Sequence, residues 1–373
     1  MQNFINTKVE QFYGDRYFKS HVMAPDFDWR LHKKDASPFF ADKGFFVSRM
    51  YEEYYSKLSG ISSDKYLSMD LYYFYTLPCL NRRELAKAYA NKNEYTNLFN
   101  GIRQPETIIK NRQGFFYDSE ERMITRKDAI KICESATDAI IKPAVETGDG
   151  VGVERFRANS HQDIETQFDA YAVDFIVQKR LCQHPAMSAL NESSLNSMRM
   201  MTYRSLDGKI NFLSNKTFLR IGGKGSIKDN VSSGGGMVNV RDDGSVGDRM
   251  VKYGISTAVS FSEVYGKNFV VPGYAKAIDF CKHLHSKIYY CDFIGWDIAI
   301  GEDGEPMFIE MNVAPSCESV QQGCGPIFEG WILDEIMERI SCVKRLSVST
   351  EINVFKPGFD YFMQTAGEPY FMK

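Results

Sequence analysis

The sequence lacks the features of membrane-spanning, secreted and zinc-binding proteins. No run of about 18 apolar residues occurs, so no membrane span is expected, and the opening MQNFINTKVEQFYGDRY contains no apolar stretch of a secretory signal. The eight cysteines form no C-x-x-C pair and fit no zinc spacing. A disulfide framework is not expected in a chain of 373 residues without such a signal. These absences predict a protein of the reducing cytoplasm.

A large charge of one sign is also missing. The net charge of −3 gives no electrostatic reason to expect nucleic acid or an acidic membrane surface as a partner. Hydrophobic residues make up 43% and charged residues 25% of the chain, which is typical of a globular protein. Aromatic residues are plentiful, with 27 Phe and 21 Tyr, and predict a large core.

The pattern of the chain changes near residue 105. The first 90 residues are rich in aromatics and have helical spacing, as in FVSRMYEEYYSKLSG, where Gly60 is a plausible helix stop. From about residue 105 onward, short β-rich runs alternate with Gly, Asp and Asn, which predicts antiparallel hairpins. Helices are expected at RKDAIKICESA, 273–288 and 327–341. Separate runs of helices and antiparallel strands predict the α+β class.

One predicted hairpin carries acidic and amide side chains in an apolar setting. FIGWDIAI and PMFIEMN flank a turn with Gly and Asp, and twelve residues separate Asp297 from Glu310. Glu310 and Asn312 are two apart on a strand and therefore share a face. The three side chains could converge into an all-oxygen set of the kind that magnesium prefers. The alternative is an acid pair on a solvated strand.

A second hairpin has the composition of a phosphate-binding loop. Lys142 ends an apolar strand, and Gly148, Gly150 and Gly152 alternate before the next strand. Glycines let the backbone approach an oligophosphate and present its N–H groups. The absence of G-K-[ST] excludes a Walker A loop, and the following strand excludes a Rossmann turn. An ordinary Gly-rich turn is the alternative.

Together, the two hairpins resemble the ATP-grasp superfamily over residues 90–330. The carrying motifs are D-x12-E-x-N at Asp297, Glu310 and Asn312, and KP with the glycine loop from Lys142 to Gly152. The resemblance implies two α+β subdomains whose antiparallel sheets grip ATP, preceded by a mostly helical region. The expected division is a helical region over 1–90, a small subdomain over 91–180, a large subdomain with the metal site over 181–345, and a tail over 346–373.

Two further motifs extend the resemblance. FIVQKRL matches the strand that crosses between the subdomains, which implies that Gln178, Lys179 and Leu181 contact adenine; a buried strand is the alternative. NKNEYTNLF resembles the segment that supplies a first nucleotide lysine, here Lys92. Asn91 stands where the family usually has Asp, and a solvated helix lysine is the alternative.

Residues 191–248 look most similar to the sugar-transfer-associated ATP-grasp group, through SSLNSMRMMTY, FLRIGGKGSIKDN and SSGGGMVNV. The group has N-T-x-R where this chain has Asn196-Ser197-Met198-Arg199. The resemblance implies that Arg220, with Lys216 as the alternative, contacts the γ-phosphate together with Arg199. The loop residues expected at the acceptor are Asp229, Asn230, Gly234 and Gly235. An ordinary surface arginine and a flexible turn are the alternatives.

The function implied by the resemblance is an ATP-dependent carboxylate–amine ligase that acts through an acyl phosphate. Its cofactors would be ATP and one or two Mg²⁺ ions, with Mn²⁺ as a substitute. The substrates would be a sugar-linked carboxylate and an amino acid or other amine, in polysaccharide biosynthesis. An ATP-dependent sugar phosphotransferase and a non-catalytic nucleotide-binding partner of a glycosyltransferase system are the alternatives.

Overall fold

The computed structural model describes residues 35–145, 151–229, 234–252, 257–266 and 268–350. The predicted site residues Gly148, Gly150 and Asn230 lie outside these ranges, as do residues 1–34 and 351–373. No helix within the described residues is long and apolar enough to cross a membrane. The fold is α+β, as the sequence predicts, and the subdomain boundaries at 90, 180 and 345 stay predictions.

The described part of the N-terminal region is helical. Its helix α2 ends at Gly60, whose φ of 79° is left-handed, so a glycine suits this stop. The side-chain amide of Asn81 donates to the carbonyl oxygens of Phe293 (2.7 Å) and Val313 (2.6 Å), which fixes this region to the later hairpin. The elements are α1 Pro38–Asp42, α2 Met50–Ser59, a π-helix Leu71–Thr76, α3 Leu77–Leu80 and α4 Arg83–Tyr89.

The chain then enters a smaller, antiparallel sheet of six strands in the order β3-β2-β1-β6-β4-β5. Helices α6 and α7 cover one face through Ile130 and Phe168, which belong to the same buried cluster as Ile141 and Val177. The preceding elements are a 3₁₀ turn Lys92–Glu94 and α5 Tyr95–Leu98. The strands and helices are β1 Thr107–Arg112, β2 Phe115–Asp118, β3 Met123–Ile124, α6 Arg126–Cys133, β4 Ala139–Pro143, β5 Glu154–Arg155, α7 His161–Tyr171 and β6 Phe175–Lys179.

The larger sheet has eight antiparallel strands in the order β12-β11-β10-β9-β7-β13-β14, with β8 beside β7. Its elements are α8 Pro185–Ser188, β7 Met198–Arg204, β8 Ile210–Phe212, β9 Thr217–Ile221, β10 Gly236–Val240, β11 Val246–Lys252, β12 Val259–Ser260, α9 Phe261–Tyr265, α10 Tyr274–Ser286, β13 Phe293–Ile300, β14 Pro306–Asn312, α11 Cys317–Cys324 and α12 Gly330–Thr350.

Both faces of the larger sheet are buried. Helix α10 packs on one face, where Leu284 joins the cluster that contains Trp296. Helices α11 and α12 and the N-terminal helices pack on the other face, where Phe293 joins Ile336. All eight residues of β13 are buried. A carboxylate on this strand therefore needs charged partners, since an unpaired buried charge is costly.

Candidate functional site

A cleft of about 550 Å³ lies where the two sheets meet. The smaller sheet contributes the end of β4, with Lys142, and the segment after β6, with Leu181. The larger sheet contributes Arg199 from β7, Arg220 from β9 and the β13–β14 hairpin. The predicted site residues therefore come from both sheets and converge on one cavity.

Asp297 and Glu310 are directly opposite each other on paired strands β13 and β14. The next pairing joins Ile298 to Phe308, so the register shifts by one residue at this point. Strict alternation would put Glu310 on the face of Phe308, which packs in the α10 core. A bulge re-aims the following side chain, and here it turns Glu310 to the face of Asp297. The structure thus brings the two carboxylates to the same face of the hairpin.

Each of these carboxylates is paired with a basic side chain. Asp297, which is 4% exposed, accepts hydrogen bonds from Nε and Nη2 of Arg199 and from Nη2 of Arg220 at 2.9 Å. The two guanidinium groups overcome the opposing effect of burial and hold the pKa of Asp297 below its usual range. Glu310 lies 2.8 Å from the ammonium of Lys92. The structure thus brings Lys92, Arg199 and Arg220 to the predicted acidic set.

Lys142 presents a buried ammonium to the cleft. The residue is 6% exposed, and its ammonium makes no hydrogen bond or ion pair with the part of the chain that the structure describes. Burial, reinforced by the positive charge of Lys92, lowers the pKa of Lys142 to about 8. Within the described ranges this cation has no carboxylate in direct contact, although Glu310 and Asp297 attract it from a distance, and phosphate oxygens would supply such a contact.

A second carboxylate, Asp229, also holds Arg220. Asp229 Oδ2 lies 3.4 Å from Arg220 Nε and accepts hydrogen bonds from the backbone N–H (3.3 Å) and the hydroxyl of Ser197. Burial raises the pKa of Asp229, against the effect of Arg220. Arg220 has a raised pKa because Asp229 and Asp297 outweigh its burial. These contacts place Asp229 in the cation network rather than free for an acceptor.

The cleft is positively charged although the chain as a whole carries a net charge of −3. Among the described residues, eight basic and five acidic side chains line it, an excess of three positive charges. Such an excess favours a polyanionic ligand. The basic residues are Lys92, Lys142, Arg155, Lys179, Arg180, Arg199, Arg220 and Lys228, and the acidic residues are Glu192, Asp229, Asp297, Glu302 and Glu310.

The donor chemistry of the acidic set fits magnesium. Asp297, Glu310 and Asn312 offer only oxygen donors to a hard cation, and all three line the cleft. Asn312 Nδ2 is buried without a hydrogen-bond partner among the described residues, so no hydrogen bond from this nitrogen fixes the orientation of the amide. In the described ranges no group of three or more His, Cys, Asp or Glu side chains could hold a metal. The predicted set is of a different kind, with two carboxylates and one amide.

The segment predicted to meet adenine lines the cleft through Lys179 and Leu181. Gln178 does not: its amide nitrogen faces Thr107 (3.3 Å), and its buried Oε1 has no partner among the described residues. In the glycine loop, Gly152 has a φ of 72°, and a Cβ there would lie 2.8 Å from Pro143 Cγ. Close packing beside Lys142 therefore requires this glycine.

Three other predicted residues are not brought to the cleft. Lys216 binds Glu329 at 2.6 Å and the carbonyl oxygen of Cys324 at 3.1 Å, on the α11–α12 side of the sheet. The expectation that it stands in for Arg220 is therefore wrong. Gly234 and Gly235 precede β10 and are not among the residues that line the cleft.

Two side chains at the site are not among the residues that the sequence predicts there. Arg155 of the short strand β5 lines the cleft beside Lys142. Ser197 donates to Asp229 and accepts from Arg220 Nη2 at 2.6 Å. The signal for Ser197 is its place in the Asn196-Ser197-Met198-Arg199 motif, where a hydroxyl replaces the threonine hydroxyl of the related group.

Several solved structures are similar to this chain at low sequence identity. PurK, an N5-carboxyaminoimidazole ribonucleotide synthetase in complex with ADP, is 15% identical with a TM-score of 0.39, over 66% of this chain and 52% of that chain. The biotin carboxylase domain of the Hydrogenobacter thermophilus 2-oxoglutarate carboxylase, with MgADP, is 12% identical with a TM-score of 0.41, over 70% of this chain and 48% of that chain. The ATP-grasp ligase PsnB with a minimal precursor is 12% identical with a TM-score of 0.38, over 68% of this chain and 62% of that chain.

This chain therefore covers about half to three fifths of the length of those proteins. No curated protein matches it significantly. The family model described as sugar-transfer associated ATP-grasp matches residues 74–326, which include both sheets and every strand that lines the cleft. The chain belongs to the sugar-transfer associated ATP-grasp family.

Proposed function

We propose that this protein is an ATP- and Mg²⁺-dependent carboxylate–amine ligase that acts through an acyl phosphate. The observation that carries the proposal is the convergence of four buried or half-buried cations on two opposed carboxylates, in a cleft between two antiparallel sheets. The cations are Lys92, Lys142, Arg199 and Arg220. This arrangement suits the binding of a triphosphate and the stabilisation of a transferring phosphoryl group.

In this proposal the two lysines and the two arginines bind different phosphates of ATP. Lys142, with no protein partner among the described residues, and Lys92 bind the α- and β-phosphates, while adenine lies along Lys179–Leu181. The forked guanidinium groups of Arg220 and Arg199 face the transferring group, where they can donate paired hydrogen bonds to its oxygens. Packing of Gly152 against Pro143 keeps Gly152 itself close to Lys142.

Asp297, Glu310 and Asn312 would hold one or two Mg²⁺ ions, or Mn²⁺, which would supply charge neutralisation between phosphate oxygens. In the absence of the cation, Arg199, Arg220 and Lys92 neutralise the same two carboxylates. These contacts hold both carboxylates in position when no cation is bound.

The reaction joins an acid to an amine in two displacements. A carboxylate oxygen of the acid forms a bond to the γ-phosphorus, and the bond to the departing ADP oxygen breaks. The amine nitrogen then forms a bond to the acyl carbon, inorganic phosphate leaves, and the nitrogen loses a proton. The acid is a sugar-linked carboxylate and the amine an amino acid or another amine, in polysaccharide biosynthesis; membership of the sugar-transfer associated family supports this assignment.

ADP release over a matrix of uronic acids, nucleotide-sugar acids and amines tests the proposal. ADP that requires an acid and an amine together, and that is lost in Glu310→Ala, is the expected result. ADP formed with a sugar alone would instead identify a sugar phosphotransferase. ATP binding with no ADP under any combination would favour a non-catalytic partner of a glycosyltransferase system.

A further inference from the structure

Arg220 is held between two carboxylates that differ in what they can bind. Its Nη2 donates to Asp297 Oδ2 at 2.9 Å, and its Nε lies 3.4 Å from Asp229 Oδ2. Asp297 belongs to the oxygen set that fits a divalent cation, whereas Asp229 lies in the loop after β9. Of these two carboxylates, only Asp297 would therefore also bind the metal.

Ser197 links Arg220 to its second carboxylate partner, Asp229. A hydroxyl has one donor and two acceptor positions, and Ser197 uses both kinds. Its O–H donates to Asp229, and its oxygen accepts from Arg220 Nη2 at 2.6 Å and from Nε at 3.3 Å. Asp229 and Ser197 thus hold the guanidinium through Nε and Nη2, in addition to its contact with Asp297.

A divalent cation bound to Asp297 would compete with Arg220 for that carboxylate. The cation would also repel the positively charged guanidinium, and both effects would drive the Arg220 side chain out of the cleft. We propose that Asp229, acting with Ser197, is a positioning residue that retains Arg220 in the cleft when Asp297 binds the cation. This inference rests on the proposed nucleotide and metal site, and it removes Asp229 from the predicted acceptor-binding set.

The test compares the affinity for AMP-PNP with Mn²⁺ and with EDTA, by calorimetry, for the wild type and Asp229→Asn. Asp297 still holds Arg220 when no metal is present, so the affinity in EDTA stays within about twofold of the wild type. With Mn²⁺, the affinity of Asp229→Asn falls by about fivefold or more relative to the wild type. An equal loss in both conditions would show a merely structural role and would overturn the inference.

A double-mutant cycle separates the positioning role from a direct effect of the charge on the metal. In an Arg220→Gln background, Asp229→Asn is expected to change the Mn²⁺-dependent affinity by less than about twofold. A persistent fivefold loss in that background would contradict the inference, because Asp229 would then act on the metal without Arg220.

Ser197 provides a second, independent pair of variants should Asp229→Asn fail to fold. Ser197→Ala should show the same selective loss of AMP-PNP affinity with Mn²⁺. Ser197→Thr, which keeps the hydroxyl, should bind AMP-PNP as tightly as the wild type. Equal affinities of the two variants with Mn²⁺ would refute the inference. A wild type that binds AMP-PNP no more tightly with Mn²⁺ than with EDTA would refute the proposed metal site itself. The two failures are therefore distinguishable.

Discussion

The ammonium nitrogen of Lys92 lies 2.8 Å from Oε1 of Glu310, and only 6% of the Lys92 side chain is exposed. The 3₁₀ turn that carries Lys92 is fixed at its start, where the Asn91 side chain accepts from the backbone N–H of Asn93 at 3.0 Å. The backbone N–H of Lys92 donates to the carbonyl oxygen of Ala144 at 2.8 Å, two residues after Lys142. Asn91 thus caps this turn as an aspartate would, and the two cleft lysines are joined through the backbone.

Lys92→Met should weaken nucleotide binding strongly. The variant removes one of the buried cations and leaves Glu310 without its partner, so we expect the ADP dissociation constant to rise by about tenfold or more. Calorimetric titration measures the change. Lys276→Met, which removes an exposed lysine paired with Glu305, is the matched control. Equal ADP affinity in Lys92→Met and the control would contradict this role.

The affinity for ADP should fall as the pH rises above about 8. Burial and Lys92 lower the pKa of Lys142 to about 8, so its ammonium loses its proton from that pH upward. Phosphate binds the protonated form, and the affinity should decline by up to about tenfold per pH unit. Titrations from pH 6.5 to 9.5 measure the slope, and Lys142→Arg, which stays charged, should flatten it. An identical slope in Lys142→Arg would assign the pH dependence to another group.

Lys142→Met should stabilise the fold at neutral pH. The pKa of Lys142 is about 8 when folded and 10.5 ordinarily, so the charged ammonium costs up to about 3 kcal/mol below pH 8. The unfolded chain binds more protons than the folded one, so this cost disappears as the pH rises from 8 towards 10.5. Denaturant unfolding at pH 7 should show the variant to be more stable, with the difference closing at high pH. A less stable variant at pH 7 would contradict the assignment.

Lys216→Met should lower the stability of the fold and leave the affinity for ADP unchanged, in contrast to Lys92→Met. Lys216 supports the carbonyl oxygen of Cys324 and binds Glu329, both outside the cleft. Its loss leaves the carbonyl without a partner and should cost about 1–3 kcal/mol of stability. The ADP affinity of the folded variant should stay within about twofold of the wild type. A tenfold loss of ADP affinity with unchanged stability would return Lys216 to the nucleotide site.

The parts of the site that the sequence predicted are those set by local pairing. The hairpin of β13 and β14 follows from its turn and its two apolar runs, and the spacing of Asp297 and Glu310 already contains the extra residue of the bulge. The position of Lys142 follows from its place at the end of a strand. Such features depend on neighbours in the chain and leave a pattern in it.

The parts that the sequence missed depend on distant contacts. Asp229 meets Ser197 across 32 residues, and nothing local indicates this pairing. Lys216 shares a face with Arg220 by alternation, but four residues, or roughly 13 Å of strand, separate the two, so Lys216 reaches Cys324 and Glu329 instead of the cleft. The run of three glycines at 234–236 predicts a loop, yet Gly236 begins strand β10, where a Cβ would lie 2.8 Å from Met250 Sδ. Helix α11 was also not predicted.

Transfer of a carboxylate oxygen from the acid to inorganic phosphate tests the acyl-phosphate mechanism most directly. The acid that supports ADP release would be labelled with ¹⁸O in its carboxylate, and the inorganic phosphate would be analysed by mass spectrometry after turnover with the amine. Attack of the carboxylate on the γ-phosphorus predicts one ¹⁸O in each phosphate released. Phosphate without the label, or none released, would contradict the acyl-phosphate mechanism and the ligase proposal with it.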